Sequence, residues 1–158
     1  MLVADPAALL PPEERAAVTA TVLDNNPGMA EDTAGRIVDQ ALAFVATAAR
    51  NPLVPIAPSR TVDEGWHALV LHTAVYARLC DRLGVFVHHY PERPDTARQG
   101  PDVIERTVVL MLAEGFVPDA ELWMPPSDTS VPVAASCGHS PKCGPIEPQP
   151  SIALSALV

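Results

Sequence analysis

Apolar residues recur at intervals of three and four along three stretches of this chain, and that periodicity predicts α-helices. Between Ala30 and Arg50 the series Ile37, Val38, Ala41, Leu42, Val45, Ala48 and Ala49 makes one face rich in alanine, small enough for close helix packing. From Val62 to Leu83 the residues Val62, Trp66, Leu69, Thr73, Tyr76, Cys80 and Leu83 form a second stripe. From Pro101 the series Val103, Ile104, Thr107, Val108, Met111 and Leu112 forms a third, closed by Gly115. A further helix carries Val18, Val22 and Leu23 and stops at Asn25-Asn26-Pro27-Gly28, a strong turn sequence. Asp5 before Pro6 reads as a capped short turn.

The helix over 62–83 has the clearest punctuation. Thr61 and Glu64 stand in the spacing of a capping box, and Gly84 suits the left-handed residue that ends a helix. Past Gly84, Val85, Phe86 and Val87 are too apolar to remain in water and are expected to fold back on the helix, bringing His88 and His89 beside it. No other strand is expected. From Pro125 onward the chain is rich in proline and small residues, a composition that builds little core. The expectation is an all-α fold: a small bundle of about four helices over 1–124, then a mostly irregular, flexible tail over 125–158.

Composition narrows the function classes. With 158 residues and 48% hydrophobic composition, the chain suffices for one core and one domain. A formal net charge of −9 and a single lysine among ten basic residues argue against nucleic acid as partner, because phosphate binding needs a basic surface. No basic segment leads an apolar run at the N-terminus, and no apolar stretch approaches about 18 residues. The expectation is a soluble, cytoplasmic protein without membrane contact. Three cysteines make no disulfide framework.

The chemistry that remains is a histidine cluster. Asp63 and His67, four apart on one helix, are close enough for a carboxylate to orient an imidazole. His67 with the returning His89 or His88 makes a candidate transition-metal site, zinc foremost, since imidazole and thiolate suit that ion, with Asp63 or a tail cysteine as the further candidate ligand. Cys137, His139 and Cys143 in the tail are weaker candidates, because Cys-x5-Cys is no standard ligand spacing. Neither HExxH nor paired CxxC occurs, and Cys80 lies on the apolar stripe, so no catalytic constellation emerges. His72 points in a third direction and is expected at the surface. The competing reading is a structural or protein-interaction module in which the same His/Asp network ties the fold together and holds no ligand.

Val62, Asp63, Trp66 and His67, then Thr73, Tyr76 and Cys80, then Gly84, His88, His89 and Pro91 form a pattern that resembles the glycine-rich-domain-containing-protein-like family. The likeness is to its short bacterial form, with Ala57 to Ser59 before the motif and Gly115, Phe116, Leu122 and Trp123 after it. It extends over roughly 30–123. The larger plant proteins of that name carry a glycine-rich region, and this chain, with 8 glycines, has none. The resemblance implies a helical fold and no assigned reaction.

Overall fold

The computed structural model describes residues 3–92, 101–124, 131–133 and 138–139, of which 91, 92, 101, 138 and 139 are described in backbone only. The chain is all-α. A 3-10 turn at Pro6–Leu9 leads to α1 (Pro12–Asn25), α2 (Glu31–Arg50), α3 (Arg60–Leu71), α4 (Thr73–Leu83) and α5 (Pro101–Ala113). None of these helices is long and apolar enough to cross a membrane.

Helix α2 is the centre of the bundle, packed against α1, α3, α4 and α5. Every residue from 40 to 49 is buried, so a helix with one alanine-rich face serves as a core element on all sides. Its one buried amide is tied into the fold. Gln40 Oε1 accepts from Trp123 Nε1 at 2.7 Å and from the Asp119 backbone N–H at 3.2 Å, while its Nε2 donates to Val117 O at 3.1 Å. The segment after α5 is thereby fastened to the core. Across α1 and α2, Arg15 grips Asp39 in a two-pronged pair of 2.6 and 2.7 Å.

Helices α2 and α3 approach closely at Gly65. A Cβ built at Gly65 would lie 2.8 Å from the Ile37 carbonyl oxygen and 2.9 Å from Ala41 Cβ. Gly65→Ala is therefore expected to destabilise by about 1–3 kcal/mol, the range for overpacking, as measured by urea unfolding. An unchanged midpoint would show that the two helices separate freely there.

Two helix boundaries differ from the sequence expectation. The helix expected over 62–83 is broken at His72, which leaves helical geometry at φ −84°, ψ 66°. Neither proline nor glycine causes the break. Instead His72 Nε2 meets Thr21 Oγ1 of α1 at 2.8 Å, so a contact 51 residues away in sequence fixes the junction, and His72 is half-buried rather than at the surface. The start of the helix also shifts. Ser59, not Thr61, is the cap: its Oγ accepts from Val62 N at 3.1 Å and donates to Leu122 O at 2.5 Å. Glu64, expected to reach back to the cap, is buried and accepts from Asn26 Nδ2 at 2.9 Å.

Gly84 ends α4 with φ 82°, the left-handed conformation in which a side chain would be strained. The chain then turns back as expected, with Val87 fully buried, although Phe86 stays 44% exposed. A strand pairing absent from the sequence reading follows. Pro91–Glu92 pairs antiparallel with Gly138–His139, Pro91 opposite His139. Val133 is also buried, and its carbonyl accepts from Arg60 at 3.2 Å. Of the 125–158 segment, Val131 and Val133 thus pack against the core and Gly138–His139 pairs with Pro91–Glu92; the remainder of that segment falls outside the described residues.

Candidate metal centre

The first turn of α3 places Asp63 against the core with no exposed surface. Burial of a carboxylate is costly unless donors and charge compensate it. The N-terminal end of α3 supplies part of that, since unpaired amides make it electropositive. Histidines supply more. His67, one turn later, sets Nε2 at 3.7 Å from Asp63 Oδ2, and its side chain is 28% exposed. His89, returning after α4, sets Nε2 at 3.0 Å from Asp63 Oδ1 with 6% exposure. The two imidazole centroids are 4.4 Å apart.

Trp66 forms the wall of this cluster. Its ring stands edge-on to His89 with centroids 4.5 Å apart, and Phe44 of α2 backs it at 5.0 Å. Helical geometry places Trp66 three residues after Asp63, on the core side of the same turn, which is why the α3 stripe read from the sequence ends beside the site.

Asp63, His67 and His89 each offer one ligand atom, and all three lie within 4.8 Å of one another. Zinc bonded to nitrogen and oxygen at about 2.0–2.1 Å in a tetrahedron holds its ligands about 3.3 Å apart. The Asp63 oxygens lie 3.0 Å (Oδ1) from His89 Nε2 and 3.7 Å (Oδ2) from His67 Nε2, near that separation but on different oxygens. The three side chains are therefore a group that could hold a metal ion.

His88, named with this group from sequence, lies elsewhere. Its ring packs against Phe86 at 4.7 Å and Tyr90 at 6.3 Å. Successive residues of an extended chain face opposite sides, so a double histidine delivers one imidazole to the cluster and one away from it. Of the tail candidates, Cys137 and Cys143 lie outside the described residues, and His139 is described only through its backbone pairing with Pro91.

Cys80 is a poor nucleophile. It is 1% exposed, and burial raises its thiol pKa, against weaker opposing hydrogen bonds from Val87 and Tyr76. A raised pKa keeps the thiol protonated at neutral pH.

Sequence reasoning assigned Trp66 and Tyr76 to the core and missed their polar ends. Trp66 Nε1 donates to Tyr76 Oη at 2.9 Å, and Tyr76 Oη donates to Val87 O at 2.5 Å. The available signal was chemical: a buried tryptophan or tyrosine almost always finds a partner for its N–H or O–H.

No family model matches the chain, and neither a characterised protein nor a solved structure does.

Proposed function

We propose that this protein is a small accessory protein that binds a divalent transition metal, zinc foremost, through Asp63, His67 and His89. One observation carries the reading: a fully buried carboxylate with an imidazole nitrogen 3.0 Å from one oxygen and another 3.7 Å from the second, so that one ligand atom from each residue lies within 4.8 Å of the others. The donor chemistry supports zinc over calcium or magnesium, which take oxygen ligands. All three donors belong to the motif that resembles the glycine-rich-domain-containing-protein-like family, so the reading assigns that motif a metal. A cytoplasmic setting fits the same reading, since the buried free thiol of Cys80 needs no oxidising compartment.

Elemental analysis of the full chain, purified without a histidine tag and equilibrated with zinc before dialysis, tests this. About one equivalent of zinc is expected. A chelator should then lower Tm, because ligand at a hundredfold excess over Kd stabilises by about 2.7 kcal/mol. Less than a tenth of an equivalent of any transition metal, with a Tm indifferent to chelator, overturns the proposal and leaves a His/Asp network that serves the fold alone.

A further inference from the structure

We infer that Tyr76 is a positioning residue for this site, setting through one hydroxyl where the returning chain presents His89; the inference rests on the metal reading for its consequence. The site draws its donors from two places. Asp63 and His67 come from α3, while His89 comes from the non-helical segment after α4, in which the neighbouring His88 makes a β-bridge. The two are joined by a buried relay: Trp66 Nε1 to Tyr76 Oη, then Tyr76 Oη to Val87 O. Trp66 is the residue immediately before His67, and Val87 lies two before His89.

Alternation along an extended chain makes the second spacing matter. Val87 is fully buried and the His89 side chain is 6% exposed, whereas Phe86 and His88, whose rings pack together, take the other side. A tie to the Val87 carbonyl therefore fixes the depth of the side on which His89 sits. Tyr76 has the means to hold it firmly. It is 3% exposed, it accepts and donates with the same oxygen, and its ring stands edge-on to Phe86 at 5.4 Å. Without the hydroxyl, the Val87 carbonyl and the Trp66 N–H each lose a buried partner. The segment then has reason to shift toward water. Metal ligation tolerates only about 0.2 Å in bond length, so a small displacement of His89 is costly to binding.

The test uses the full chain and three variants. Tyr76→Phe removes the hydroxyl and keeps the ring. Thr107→Val is the control: it also removes a fully buried hydroxyl, one bonded to Ala57 and Val103 and remote in connectivity from the relay. Zinc affinity is expected to fall about 10–100-fold in Tyr76→Phe, the range for loss of a group that orients a ligand, and to stay within about twofold of wild type in the control. A second readout needs no metal. Modification of His89 by diethyl pyrocarbonate, mapped by mass spectrometry on metal-free protein, should accelerate in Tyr76→Phe and not in Thr107→Val. Should Tyr76→Phe fail to fold, Trp66→Phe, which removes the relay's N–H donor, is expected to move both readouts in the same direction. Wild-type affinity together with an unchanged His89 modification rate, in a variant that has lost stability, overturns the inference. Absence of zinc binding in wild type overturns the metal reading instead, and the modification rate still decides whether Tyr76 positions His89.

Discussion

Trp66→Ala is expected to destabilise the chain by about 3–5 kcal/mol, the range for truncating a large buried aromatic. The indole has no exposed surface, lies against Phe44 and His89, and donates to Tyr76. Truncation therefore leaves a cavity between α2 and α3 and strips a donor from a buried hydroxyl. A domain of this size has about 5–15 kcal/mol in total, so the variant should sit near its unfolding threshold at ordinary temperature. Urea unfolding followed by circular dichroism gives the number. A loss below about 1 kcal/mol would mean that Trp66 is not the wall of the site, and the link between core packing and the imidazole cluster would fail with it.

Asp63→Asn separates the chemistry from the packing. The amide matches the carboxylate in shape and still accepts through its oxygen, so the contact with His89 survives when that ring donates. What it lacks is the negative charge and a second carboxylate oxygen to face the other imidazole. Zinc affinity should fall by more than about 100-fold, beyond the 10–100-fold typical of losing an orienting partner, while the metal-free variant keeps a cooperative transition. Calorimetric titration of both proteins reads the difference. Equal affinities would remove Asp63 from the ligand set, whatever the elemental analysis shows.

Much of the helical skeleton was legible because it rests on local rules. Residues 30–50 were expected as one helix and α2 spans Glu31–Arg50; Gly84 was expected to end a helix and does so in the left-handed conformation. The interruption at His72 was not legible. Nothing in the sequence around Leu71 and Thr73 disfavours a continuous helix, and the contact that fixes the junction is with Thr21, in another helix. The cap moved from Thr61 to Ser59 for the same reason: the Ser59 hydroxyl is also bonded to Leu122, a partner 63 residues away.

The site divides along the same line. Asp63 and His67 were paired by helical spacing alone, and the return of the chain past Gly84 was expected from the apolar Val85 to Val87 run. Which of two adjacent histidines would meet them depended on the phase of an extended segment. That phase was set by burial of Val87 and by its carbonyl's bond to Tyr76. Residues 131–133 and 138–139 were equally opaque, since the partners of Val133 and His139 are Arg60 and Pro91.

By itself the sequence determined the helices, their apolar faces and the i,i+4 pair, because these follow from backbone geometry within a few residues. Only the tertiary structure decided the break at His72, the choice of His89 over His88 and the Trp66 to Tyr76 to Val87 relay. Each depends on which distant side chain takes up a hydrogen bond or covers a ring, and hydrophobic periodicity along one segment carries no information about that.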